Sequence, residues 1–268
     1  MNESSDWHIP GSWVEIYEYI FVPAMVEEWP PRVAALAGLQ PGDHVLDVAC
    51  GTGVLTRYVA KSVGVNGRVA GLDLSSDMLS VARTISLNSS ATGSIEWREG
   101  DVCAIPFADE TFDAVFCTFA LMFFPDRVAA LKEMHRVLKP GGRMALAVWG
   151  AMQKCPGQTA IKESWEHHFG ADAAAGFVRQ HVLGDPETVH PLIHEAGYDQ
   201  VSVQSTMGAV RFPSPEHLVR SYGALIGKQT DEQTRASLIE EVSAALQPYV
   251  GADGLVYPIE TILASARK

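Results

Sequence analysis

Val45-Leu46-Asp47-Val48-Ala49-Cys50-Gly51-Thr52-Gly53-Val54-Leu55 is the stretch on which the fold depends. An apolar run enters a glycine turn, and a helical pattern follows through Leu55, Tyr58, Val59 and Val63. That is the order of a buried strand, a tight turn and the start of a helix. Two glycines let the backbone come close to a ligand, and the helix start beyond them offers free N–H groups. Asp73, at the end of a second apolar run Val69-Ala-Gly-Leu-Asp, lies where doubly wound sheets hold a ribose.

The pattern continues outward. Strands are expected at about 43–48, 67–73, 94–98, 111–117 and 142–149, with helices at 53–63, 76–88 and 126–138 between them. Such alternation argues for a parallel, doubly wound sheet. Ser75 or Ser76 can cap the second of these helices, and Lys139-Pro140-Gly141-Gly142 is a stop signal. Before the first strand, Trp13, Ile16, Tyr17, Ile20 and Phe21 fall at helical spacing. Pro23 is expected to break that helix, with a second one from Ala24 to Leu39. Beyond Trp149 the periodicity loosens. Helices are expected at Gln158–Phe169, Asp185–Ala196 and across 214–248, with strands at 199–206 and about 257–266.

Composition limits the function classes. A chain of 268 residues with 47% hydrophobic content has ample material for one α/β domain with an added segment. A formal net charge of −12, with no basic run, argues against nucleic acid as partner. No apolar stretch reaches membrane-spanning length, and Met1-Asn-Glu-Ser-Ser-Asp6 lacks a basic leader, so a cytoplasmic protein is expected. Cys50, Cys103, Cys117 and Cys155 show no C-x-x-C pairing and read as small buried residues.

The glycine turn resembles the first motif of the class I S-adenosylmethionine-dependent methyltransferases, an acid followed by G-x-G-x-G. Here the acid is Asp47 and the three small positions are Ala49, Gly51 and Gly53. The alanine is a mild departure, because a small residue still permits close approach. The dinucleotide fingerprint would want a third glycine near Thr56, which counts against an NAD(P) enzyme. Four further segments resemble the same family in order: Gly71-Leu-Asp73-Leu-Ser75 with Met78, Glu99-Gly-Asp101-Val102, Phe112 to Leu121, and Glu133-Met-His-Arg136-Val-Leu-Lys139-Pro-Gly-Gly142. Together they cover residues 42–149, and the chain is most similar to the ubiquinone/menaquinone-biosynthesis C-methyltransferases, chiefly through the Gly71–Ser75 motif and Arg136-Val-Leu-Lys139-Pro-Gly-Gly142.

The resemblance implies a Rossmann-like, seven-stranded, mostly parallel sheet with a terminal antiparallel pair and helical lid segments. Residues 1–41 would form an N-terminal helical cap, 42–150 the cofactor-binding core, and 151–268 the rest of the sheet with a lid insertion at about 207–255. S-adenosyl-L-methionine would be the cofactor and S-adenosyl-L-homocysteine the product. In the family, the acid at Asp73 binds both ribose hydroxyls, for which an ionised carboxylate is a suitable pure acceptor. Leu74 and Met78 would flank the adenine. Asp101 would accept from the adenine amino group and the Val102 N–H would donate to a ring nitrogen. Asp47 supports the loop and the cofactor amino group, and the Cys117 carbonyl borders the methionine moiety. Tyr17 and Tyr19 are candidate acceptor contacts, with plain packing as the alternative.

The expected activity is methyl transfer to a small apolar or aromatic acceptor, at oxygen, nitrogen or carbon, by a monomer or homodimer. The alternatives are an NAD(P)-dependent Rossmann oxidoreductase, a methyltransferase acting on protein or nucleic acid, and a non-catalytic scaffold. No catalytic residue is assigned. His8, His167, His168, His181 and His217 are candidate bases that spacing does not separate. No metal is expected, since no histidine pair has an acid at ligand spacing. Glu133 and Arg136 read as a surface i,i+3 pair, and Asp113 as structural.

Overall fold

The computed structural model describes Trp7, residues 9–87 and residues 94–268. The leader reading of residues 1–6 and the candidate base His8 lie outside the described residues. In chain order the elements are α1 (Trp13–Ile16), α2 (Trp29–Leu36), β1 (His44–Val48), α3 (Val54–Val63), β2 (Arg68–Asp73), α4 (Ser76–Leu87) and β3 (Ser94–Glu99). They continue with β4 (Phe112–Thr118), α5 (Arg127–Val137), β5 (Leu138–Trp149), α6 (Pro156–Phe169), α7 (Ala171–Gln180) and α8 (Pro186–Glu195). The last are β6 (Asp199–Phe212), α9 (Pro215–Ile226), α10 (Glu232–Leu246), β7 (Val250–Gly251) and β8 (Gly254–Arg267).

The sheet order is β3-β2-β1-β4-β5-β8-β6, with β7 paired to β8 off that path. β1 to β5 pair in parallel, and β8 runs antiparallel to β5. The expected seven strands thus form the sheet, and the eighth is a two-residue addition. Buried parallel strands read as continuous apolar runs, because both faces are covered. Val45, Leu46 and Val48 of β1, Ala114–Cys117 of β4 and Met144–Val148 of β5 are all buried.

Several boundaries differ from the sequence reading. Pro23 does not break the N-terminal helix, because a π-helix, Tyr17–Val26, runs through it. Proline cannot donate to the helical ladder, and its ring crowds the carbonyl four residues back; the wider π turn relieves that crowding. The second helix starts at Trp29 rather than Ala24, where Pro30 and Pro31 fit the donor-free first turn. β5 begins at Leu138, since the ladder pairs Phe112 with Leu138 and resumes at Ala114 with Arg143. A bulge absorbs Lys139–Gly142 instead of a loop. β6 extends to Phe212, so 207–212 is strand and not helical insertion. The alanine-rich stretch after Gly170 forms α7, which sequence reasoning missed.

By contact the chain divides into two compact units. Of the described residues, the first holds those up to 26 with 150–182 and 207–260, and the second those within 27–149 with 183–206 and 261–268. Aromatic rings fill the first: Trp7 stacks on Trp165 at 6.1 Å, and Tyr222 meets Phe21 and Phe177 edge-on. Gly157 leaves room for the Tyr257 ring, which a Cβ would meet at 2.1 Å. Among the described residues, no helix is long and apolar enough to cross a membrane.

Candidate functional site

The C-terminal ends of β1, β2 and β4 meet around the glycine turn in the second unit. Parallel strands place these ends at one edge of the sheet, the edge at which doubly wound folds bind ligands. Asp73, the last residue of β2, organises the turn. Its Oδ2 accepts the Gly51 N–H at 2.7 Å and its Oδ1 accepts the Ser75 N–H at 2.9 Å. Each carboxylate oxygen keeps lone-pair capacity for a further donor.

Three residues of the turn have left-handed backbone: Ala49 (φ 53°), Gly51 (φ 55°) and Gly53 (φ 82°). For Ala49 this corrects the reading of a mild change of size, since the cost lies in the backbone angle of a residue with a Cβ. The two glycines serve different ends. Nothing but the Met78 sulfur, at 4.0 Å, approaches the missing Cβ of Gly51, so the backbone there is open to a ligand. The missing Cβ of Gly53 would lie 2.3 Å from Trp97, so that glycine makes room for an indole. Trp97 also covers Gly71.

Asp47 is buried beneath the turn. Its Oδ2 accepts from Thr56 Oγ1 at 2.5 Å, while its Oδ1 has no partner. Burial pushes its carboxyl up to about 7, opposed by the Thr56 hydrogen bond and reinforced by the Asp73 charge. Thr52 Oγ1 is also buried and unpartnered. Leu74 is 73% exposed just past β2. Asp101 follows the residue after β3; it is exposed, and its Oδ1 accepts the Cys103 N–H at 2.8 Å. Val102 and Met78 are half-buried, and Cys117 is fully buried near the end of β4.

Two aromatic residues that sequence reasoning passed over stand at the same edge. Phe119, just past β4, has φ 55°, an uncommon angle for a bulky side chain. Its ring stacks on Trp149, the last residue of β5, with centroids 3.7 Å apart, and meets Trp29 edge-on at 6.0 Å. The available signal was positional, since both residues end strands that lead to the ligand edge. Tyr17 and Tyr19 belong to the first unit, the former half-buried and the latter exposed.

Other expected features lie elsewhere. Asp113 accepts the His44 N–H at 2.9 Å and pairs with Lys139 at 2.8 Å, which together hold its carboxyl below the usual range against partial burial. Arg136 is more than half of a surface pair. Besides Glu133 and Asp109 it binds the carbonyls of Ile105 and Phe107, fixing the 105–109 loop to α5. A cavity of about 700 Å³ opens at the opposite end of the strands, beside Asp113, Lys139 and Arg143. It holds none of the expected site residues.

A glycine turn held by an acid at the end of β2, with a second acid after β3, is the arrangement expected from the resemblance to class I S-adenosylmethionine-dependent methyltransferases. A methyltransferase domain profile matches residues 45–142. The chain is 33% identical over 191 residues to 2-phytyl-1,4-naphtoquinone methyltransferase of Thermosynechococcus vestitus, covering 68% of this chain and 84% of that one. It is 45% identical over 120 residues to the chloroplastic 2-phytyl-1,4-beta-naphthoquinone methyltransferase of Arabidopsis thaliana, 44% of this chain and 46% of that one, so it matches less than half of that relative's length. A Haemonchus contortus phosphoethanolamine N-methyltransferase structure shares the fold, with TM-score 0.61 at 20% identity over 95% of this chain and 56% of that one. The chain belongs to the S-adenosylmethionine-dependent methyltransferase family, in its ubiquinone/menaquinone C-methyltransferase-like branch.

Proposed function

We propose that this chain transfers a methyl group to a flat, apolar ring acceptor of the quinol class, and that its cofactor is held along the edge formed by β1, β2 and β4. The single observation that carries the cofactor reading is the Asp73 carboxylate. It orders the turn through two backbone amides and retains acceptor capacity for ribose hydroxyls. The unpartnered Asp47 Oδ1, the open backbone at Gly51 and the exposed Leu74 fit the same ligand. They offer an acceptor for an amino group, room for close approach and an apolar face for a base. Asp101, Val102, Met78, Ala49, Gly53 and the Cys117 carbonyl complete the proposed contact set.

S-adenosylmethionine, when bound, supplies a methyl on a positively charged sulfur that is already a good leaving group. The protein's task is then positioning and exclusion of water. Acceptor choice is read from the named relatives and from the aromatic character of the C-terminal edge of β4 and β5, where half-buried Phe119 stacks on buried Trp149. Contacts from Tyr17 and Tyr19, the domain division with a covering role for α9 and α10 alone, a cytoplasmic location and a small-molecule rather than nucleic-acid acceptor belong to this reading as proposals. They rest on the resemblance and on the acidic charge balance.

Calorimetric titration with S-adenosylhomocysteine tests the cofactor site, with Asp73→Ala and Asp101→Ala variants and NAD+ as control. Micromolar binding weakened in both variants supports the assignment. Binding of NAD+, or product binding indifferent to both substitutions, overturns it. Methyl transfer to a reduced naphthoquinone, set against a highly charged acceptor, tests the acceptor class. Preference for the charged compound sinks that part.

A further inference from the structure

We propose that the last turn of α6 and the facing side of α10 form a binding site for a borderline divalent cation such as Zn²⁺. The donors are His167 Nδ1, His168 Nε2 and Glu241 Oε1, which all lie within 4.8 Å of one another. Both imidazole nitrogens stand 3.0 Å from the same carboxylate oxygen. All three residues belong to the first unit, so the site is independent of the cofactor reading.

The donor chemistry suits such an ion. Two imidazoles and a carboxylate are a common ligand set for zinc, with metal–ligand bonds of roughly 2.0–2.2 Å. Ligand atoms bonded at that length in a tetrahedron stand roughly 3.3 Å apart, so the two nitrogen–oxygen distances of 3.0 Å need to open by a few tenths of an ångström, while the ring nitrogens already lie within 4.8 Å of each other. His167 is 71% exposed, which provides both an entry path and a fourth position for water. His168 and Glu241 are better covered, at 16% and 33%, and give the site a fixed wall.

Two further features favour a cation here. Ser164 Oγ donates to Glu241 Oε2 at 2.7 Å, holding the carboxylate so that Oε1 faces the rings. Outer hydrogen bonds of this kind orient metal-binding carboxylates. The two histidines also lie in the last turn of α6, at the negative end of its dipole. A bound cation would replace the direct contacts between the rings and the carboxylate and would pin α6 to α10. Sequence spacing hides the set, because Glu241 is more than seventy residues from its partners.

The test is titration of chelator-treated protein with ZnCl2, followed by calorimetry and by melting temperature, with Co²⁺ absorption as a report on geometry. His167→Gln removes an exposed ligand with little effect on folding, and Glu241→Gln removes the shared oxygen. Ser164→Ala keeps every ligand but frees the carboxylate. His190→Gln is a control at the other histidine pair, His190 and His194, whose rings stack at 6.5 Å. One equivalent should bind the parent chain and raise its melting temperature. Affinity should fall at least tenfold in His167→Gln and Glu241→Gln, about tenfold in Ser164→Ala, and not at all in His190→Gln. No binding to the parent chain, or equal binding by the His167 and Glu241 variants, overturns the proposal. So does loss of binding in His190→Gln alone.

Discussion

Thr56 Oγ1 donates to Asp47 Oδ2 at 2.5 Å, and both side chains are buried. The bond ties the first turn of α3 to the end of β1 beneath the glycine loop. Thr56 occupies the place that a dinucleotide fingerprint would give to glycine, so a hydroxyl takes a role there that a bare backbone could not fill.

This pair predicts a pH dependence. The Asp47 carboxyl is raised from 3.8 to about 7, so between these values the folded chain binds a proton that the unfolded chain has released. Stability contributed by this group is therefore present below pH 4 and is lost as pH rises through 7. The span corresponds to roughly 4 kcal/mol at most. Chemical denaturation at pH 5 and pH 8 should show Asp47→Asn narrowing the difference between the two. Thr56→Val should cost about 2 kcal/mol at pH 8 and less at pH 5, because it leaves a buried carboxylate unpartnered. If both variants track the parent at each pH, the assignment to Asp47 is wrong.

Ala49 should be improved by a residue of lower helix and strand propensity. Its left-handed backbone costs an alanine about 1–2 kcal/mol, partly offset by the extra unfolded-state freedom of glycine. Ala49→Gly is expected to gain up to about 1 kcal/mol, seen as a rise of roughly 2–4 °C in Tm. A fall in Tm would show that the Cβ makes contacts worth more than the strain.

Gly53→Ala should be harmful for a reason local to Trp97. The new Cβ would stand 2.3 Å from the indole and would also carry an unfavourable φ of 82°. A loss of about 2–4 kcal/mol is expected from combined strain and overpacking. Trp97→Leu in the same chain should recover part of it. A double variant no better than the single one would place the damage elsewhere.

Arg136 should resist conservative replacement. Its planar group serves two carboxylates and two carbonyls at once, an arrangement that lysine cannot copy. Arg136→Ala is expected to cost about 2–3 kcal/mol, and Arg136→Lys to restore less than half. Urea midpoints measure both, and full recovery by lysine would reduce the network to a charge effect.

The parallel half of this fold was legible because β1, β2, β4 and β5 announce themselves as apolar runs closed by turn residues, and the edge strand β3 as an alternation of Ile95 and Trp97 with polar residues. Asp73 and Asp101 were legible as candidates by position, Asp73 closing β2 and Asp101 standing two residues past β3. The π-helix through Pro23 was not, since local rules treat proline as a stop and the relief comes from a wider turn. Trp97 was invisible as the partner of Gly53, because the contact joins β3 to a loop more than forty residues earlier. The extended ends of β6 and β8 were missed where the alternation expected of a half-buried strand gave out. His167, His168 and Glu241 show the limit most clearly: a helix pairing decides their meeting, and no spacing along the chain encodes it.

The doubly anchored carboxylate of Asp73 has a thermodynamic consequence. It fastens the chain reversal after β1 and the one after β2 to a single group, so the loop reaches its final shape during folding. The ordering entropy is then spent before any ligand arrives, and association should involve little loop freezing. A ligand meeting this edge encounters a finished mould, and the heat of binding should report contacts made rather than chain set in order.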